Sequence, residues 1–131
     1  MIDATWAALE KSLDLRTRAH AIHISNIANA NVPDFKAKKI DFEDRMRTAL
    51  ESLNSDAPLL TRENSAASQV SGIEADIYQD PMAKPSRDGN TVNVDREQTE
   101  IAKNMIGFEG SVQLLNKRIA MQKYILGEAG R

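Results

Sequence analysis

The chain has 131 residues, 41% of them hydrophobic, and a formal net charge of −2. Seventeen of the apolar residues are alanine, while Leu, Ile, Val and Phe together number 29, so the core it can bury is modest. The absence of cysteine excludes a disulfide scaffold and a Cys nucleophile, two histidines exclude a three-His zinc site, and the acidic balance argues against a general nucleic-acid binder.

No apolar run approaches the roughly 18 residues of a membrane-spanning helix, and Asp3 and Glu10 stand where a secretory leader would be basic. Taken alone, this reads as cytoplasmic. From the N-terminus, Ile2, Trp6, Leu9, Leu13, Arg16, His20, His23 and Ile27 step by four and three, and Leu15, Ala19 and Ile22 take over on a neighbouring face. The pattern predicts a helix from about residue 3 to residue 29 whose buried face rotates along its length. Asn29, Asn31 and Pro33 supply the stop. Between Phe35 and Ile40 the chain is basic and extended, either a solvated edge or a complement to the acidic middle of a neighbouring copy.

A short helix is predicted at 41–53, with Asp41 as its cap and Phe42, Met46, Ala49, Leu50 and Leu53 on one face. Residues 54–90 are acidic, hold three of the four prolines and show no sustained apolar period, which predicts an extended or disordered arm. Residues 89–94 form either a short strand or an extended lead-in. The last helix is predicted over 95–127, with Asp95 as N-cap, Gln98 completing a capping box, and Gly127 and Gly130 as the stop. Its seam is Ile101, Met105, Phe108, Val112, Leu115, Ile119, Gln122 and Leu126, flanked by Ile106, Leu114, Met121 and Ile125. Gly107 and Gly110 either weaken this helix or admit a close neighbour.

These elements make a mainly α fold of one domain. Long N- and C-terminal helices pair as a coiled-coil-like bundle around a polar middle with at most a short β element. The segments are 1–31 (helix), 32–53 (extended segment and short helix), 54–94 (linker or arm) and 95–127 (helix).

No constellation resembles an active site. His20 and His23 share a helical face without a third ligand nearby in sequence, Ser25 lacks a glycine elbow, and Asp41, Glu43 and Asp44 read as a helix start. No catalytic residue, cofactor or metal is expected. The stripes left over after the terminal helices pair point to a subunit of an assembly. A soluble helical adaptor that binds a partner helix through the same seams is the alternative.

The stretch Ser25-Asn26-Ile27-Ala28-Asn29-Ala30-Asn31-Val32-Pro33-Asp34-Phe35-Lys36 closely resembles the N-terminal signature of bacterial flagellar rod and hook proteins. Residues 36–42 and 88–97 resemble segments of the proximal-rod branch of that family. Val32, Asp34 and Phe35 depart from the Thr, Gly or Asn, and Tyr usual at those places, and Asp tolerates positive φ less well than Gly. The resemblance implies a rod subunit of the basal body, made in the cytoplasm and exported by the flagellar type III apparatus without a cleaved leader. Its partners would be other copies, other rod subunits, the adapter at the rod base and the export apparatus. It also suggests that Asn26 and Asn29 bond a neighbouring copy, or that Asn29 and Asn31 cap the helix. Phe42 and Met46 resemble a short export-recognition element.

Overall fold

The periodicity at both ends of the chain is realised as two long helices in the computed structural model, which describes residues 4–51 and 58–129. In chain order the elements are α1 (Ala4–Ala28), β1 (Lys38–Asp41), α2 (Glu43–Glu51), α3 (Leu59–Ser71), β2 (Asp76–Gln79) and α4 (Val94–Ala129). The mainly helical class and the pairing of the terminal helices agree with the sequence reading. Ile2, Leu53 and Gly130 lie outside the described residues. Among the described residues, no helix is long and apolar enough to cross a membrane.

α1 is the organising element, packing against α4, α3, β1 and α2. The predicted second stripe faces the core: Leu15 and Ala19 are buried with Ala7, Ile40, Phe42, Ala49, Val70 and Ile73, and Ile22 packs against them. Leu15 and Val70 are buried completely, and each such side chain stabilises the fold by about 2 kcal/mol. The core therefore lies between α1, β1, α2 and α3, and the partner of α4 is the other side of α1.

The middle of the chain is more ordered than its composition predicts. Residues Leu59–Ser71 are helical, and Asp76–Gln79 pair antiparallel with β1, with Lys38 opposite Gln79 and Asp41 opposite Asp76. In α3, Ala66, Val70 and Ile73 at the helix end repeat every three to four residues and bury one face, while Leu59 and Leu60 stay exposed. That face is too short and alanine-rich to register as a period, and docking on α1 stabilises it. The acidic middle does meet basic residues, but those of its own chain: Arg45 binds the Asp76 carboxylate and the Glu74 carbonyl, and Arg96 binds Asp80 at 2.8 Å.

Local boundaries also differ. Asp41 is the last residue of β1, and Phe42, just before α2, has the carbonyl that accepts the Met46 N–H. The cap of α4 is Asn93, whose Oδ1 accepts the Arg96 N–H at 3.0 Å, so Asp95 sits inside the first turn. Gly127 does not stop α4, which runs to Ala129. Residues 89–93 are an extended lead-in, and the short β element lies at 38–41 and 76–79.

Candidate assembly interface

Two segments far apart in sequence form one hydrogen-bonded junction where α1 ends and α4 begins. Asn90, only 3% exposed, directs its Nδ2 at the carbonyls of Asn29, Ala30 and Val32, at 2.9, 3.0 and 2.7 Å. Asn29 O also accepts the Val32 N–H and Val32 O the Phe35 N–H, so Asn90 adds a second donor to these two and serves Ala30 O between them. The Oδ1 of Asn90 accepts the Val92 N–H at 2.7 Å, closing an Asx turn. Around it, Asp34 N–H donates to Asp88 O and Thr91 N–H to Phe35 O, both at 3.0 Å. Lys36 Nζ donates to Gly89 O and the Ala37 N–H to Thr91 Oγ1, at 2.7 and 2.8 Å.

The turn needs two left-handed residues facing each other. Asp34 has φ 59° and Gly89 φ 81°. Asp34 thus adopts the conformation that its place in the signature suggested, at a cost glycine would not carry. Gly89 has no such latitude, since a Cβ there would lie 2.1 Å from Asp34 Oδ1. Beside it, the Ser86 hydroxyl and the Asn90 N–H donate to Asp88 and hold its carboxyl below the usual carboxylate range.

Asn26 is 1% exposed and grips β1 with both ends of its amide: Nδ2 donates to Lys38 O at 2.7 Å and Oδ1 accepts Lys38 N–H at 3.0 Å. The buried amide of the signature therefore bonds its own chain and sets the register of β1 on α1. Asn29 Nδ2 donates to Ser25 O at 2.7 Å, in keeping with its reading as a helix stop. Ile27 is half-buried, whereas Ser25, Ala28, Asn31 and Pro33 are exposed.

Along the α1–α4 seam the buried residues of α4 are polar and spaced by seven: Glu97, Asn104 and Ser111. Glu97 Oε2 meets His23 Nδ1 at 2.6 Å, Asn104 Nδ2 donates to Arg16 O at 2.7 Å, and Ser111 Oγ meets Ser12 Oγ at 3.2 Å. These rungs fix an antiparallel register. Arg16 lies over Phe42, 5.8 Å from the ring centroid, and fills the notch left by Gly107, while a Cβ at Gly110 would point into open space.

The predicted apolar seam sits one step round the helix. Ile101, Val112, Leu115 and Ile119 are half-buried, and Met105, Phe108 and Leu126 are 49%, 37% and 73% exposed. In α1, Leu9 is buried and Trp6 and Leu13 are half-buried. Phe42 is buried and Met46 packs at the core edge. Sequence reasoning missed Asn90, Glu97, Asn104 and the His23–Glu97 pair. The heptad spacing of 97, 104 and 111 is the available signal, and the apolar stripe on the neighbouring face overshadows it. Among the described residues no group of three or more His, Cys, Asp or Glu is placed to hold a metal.

No protein-family model matches the chain. Curated proteins do. The flagellar basal body rod protein FlgB of Yersinia enterocolitica is 32% identical over 127 residues, spanning 91% of this chain and 93% of that protein. FlgB of Salmonella typhimurium (strain LT2) is likewise 32% identical, spanning 91% and 92%. FlgB of Cereibacter sphaeroides is 37% identical over 110 residues, spanning 84% of each. With the two signature segments joined in one junction, and identities of this size over nearly the whole length, the chain belongs to the FlgB family of flagellar basal body rod proteins.

Proposed function

We propose that the chain is a structural, non-enzymatic subunit of the proximal rod, exported through the flagellar type III apparatus and polymerising axially through its terminal helices. Its partners are further copies, other rod subunits, the adapter at the rod base and, in transit, the export apparatus. It works without cofactor or metal in the periplasm-spanning rod.

The observation that carries this reading is the division of labour on α4. The polar heptad positions are used up against α1, while the apolar stripe beside them is only half covered, with Met105, Phe108 and Leu126 exposed. A subunit that is finished by its neighbours has this arrangement, because burial of the stripe then becomes assembly energy. The thin core and the absence of cysteine suit passage through a narrow exporter as an unfolded chain. Phe42 and Met46, both packed in the folded subunit, would be read by the exporter before folding. The signature residues Ser25, Ala28, Asn31 and Pro33, and the N-terminal residues Trp6, Leu9 and Leu13, serve the packing of α1 in the tube.

Deletion of the gene with complementation by variants tests the reading. The deletion is expected to abolish flagella, and Leu115→Asp is expected to fail to restore them, since it puts a charge into a desolvating contact. Basal bodies of normal length imaged in the deletion strain would refute it.

A further inference from the structure

The turn that closes the junction carries a chemically reactive step. Asp88-Gly89 is the one Asp-Gly step in the sequence, and there is no Asn-Gly step. An aspartyl carboxyl cyclises most readily onto a following glycine, because no Cβ shields the amide nitrogen it must meet. The fold demands glycine at 89: its φ is 81°, and a Cβ there would lie 2.1 Å from Asp34 Oδ1. The reactive pair therefore comes with the junction.

Asp88 is exposed, so burial does not protect it, and hydrogen bonds do so instead. Ring closure needs a free Gly89 nitrogen, a protonated carboxyl, and rotation of that carboxyl onto the nitrogen. Gly89 N–H is engaged, donating to Ser86 O at 3.0 Å. Asp88 Oδ1 accepts the Ser86 hydroxyl and, at 3.1 Å, the Asn90 N–H, which ties the carboxyl to the residue beyond Gly89. The same donors keep that carboxyl ionised. Asp88 O accepts the Asp34 N–H at 3.0 Å and Gly89 O accepts Lys36 Nζ at 2.7 Å, so the peptide groups of both residues are held.

We propose that Asp88 is a site of spontaneous isoaspartate formation that the closed junction suppresses and the open chain permits. In the open chain the Gly89 nitrogen bonds to Asp88 Cγ, its proton and the carboxyl hydroxyl leave as water, and a succinimide results. Water then opens the ring at either carbonyl. Attack at Cγ restores aspartate, and attack at the original main-chain carbonyl leaves the chain routed through Cβ and Cγ as isoaspartate. That product has an extra backbone atom before Gly89, and the carbonyl that served the Asp34 N–H becomes a free carboxylate. Asn90 is then out of step with the carbonyls of Asn29, Ala30 and Val32, so a chain isomerised before folding cannot seat the clamp. This chemistry does not depend on the subunit reading, under which the chain is unfolded during export.

The full-length protein, incubated at neutral pH in buffer and in guanidinium chloride, tests the proposal. Peptide mapping with electron-based fragmentation distinguishes isoaspartate from aspartate. Isomerisation at 88 is expected to run about tenfold or more faster in denaturant, because folded chains react only through rare opening. Ser86→Ala, with wild-type circular dichroism, is expected to isomerise about threefold or more faster than wild type in buffer, since it frees the carboxyl. In denaturant, where folding plays no part, Gly89→Ala is expected to react far more slowly than wild type. Chains aged in denaturant, separated by chromatography and refolded, are expected to unfold at a lower urea midpoint than unaged chains given the same treatment. Equal rates in buffer and denaturant, or an unchanged rate in Ser86→Ala, would overturn the suppression by the junction. Isomerised chains that refold to the unaged midpoint would overturn the claim that the modification unseats the clamp.

Discussion

Replacement of Asn90 tests the junction most directly. Its amide places two N–H hydrogens against three carbonyls, those of Asn29, Ala30 and Val32, and accepts one further bond from Val92 N–H, all within 3.0 Å. At 3% exposure, water has no route to replace them. Asn90→Ala therefore loses about three hydrogen bonds at roughly 1 kcal/mol net each, and takes the side-chain donor from Ala30 O while Asn29 O and Val32 O keep their backbone donors, for a loss of about 3 kcal/mol. A domain of this size has only about 5–15 kcal/mol in all. Asn90→Asp keeps the acceptor for Val92 but turns a carboxylate toward three carbonyls, so it is expected to cost more than Ala. Urea unfolding followed by far-UV circular dichroism reads both, as a lower midpoint with an unchanged slope. A loss below about 1 kcal/mol for Ala, or an Asp variant as stable as the Ala variant, would refute the view that Asn90 is the clamp.

The remaining predictions are smaller or more local. Glu97→Ala is expected to cost about 2–3 kcal/mol because it strands His23 in a contact where both side chains are 11% exposed, and a double-mutant cycle with His23→Ala should show coupling above about 1 kcal/mol. Gly110→Ala should stabilise α4 by about 0.5–1 kcal/mol in thermal melts, since the added Cβ meets no other group within 4 Å. Gly107→Ala should gain nothing, because its Cβ would meet the Arg16 guanidinium at 2.3 Å and displace it from Phe42. The Asp88 carboxyl is held below its ordinary 3.8, so its contribution is complete above that value and is lost as pH falls through the lower folded value. Melts of Asp88→Asn against wild type should differ at neutral pH and converge in the most acidic buffers, and a gap that persists there would show that Asp88 does not act through its charge.

Both long helices were legible because a spacing of three and four residues is a local property that any helix must satisfy, whatever it packs against. α1 ends at Ala28 and α4 starts at Val94, close to where the pattern and the asparagines put them. Capping was less legible: Asn93 and Asp95 are both good caps, and the choice depends on where the incoming chain is held by Asn90 and Thr91. α3 was hidden because its face of Ala66, Val70 and Ile73 is weakly apolar and becomes a core only when α1 supplies Leu15 and Ala19.

The residues by themselves determined the class of fold, the two terminal helices, the turn at Pro33-Asp34 and the family resemblance, since each rests on neighbours in sequence. Only the tertiary structure decided which stripe of α4 meets α1, that Asn26 holds β1 in its own chain, and that Asn90 serves carbonyls about 60 residues away. The physical reason is the same in each case. A polar side chain does not announce its partner in sequence, because its bond is set by where the chain brings the complementary group. An apolar stripe states only that burial is required, and leaves the neighbour to the fold and the assembly.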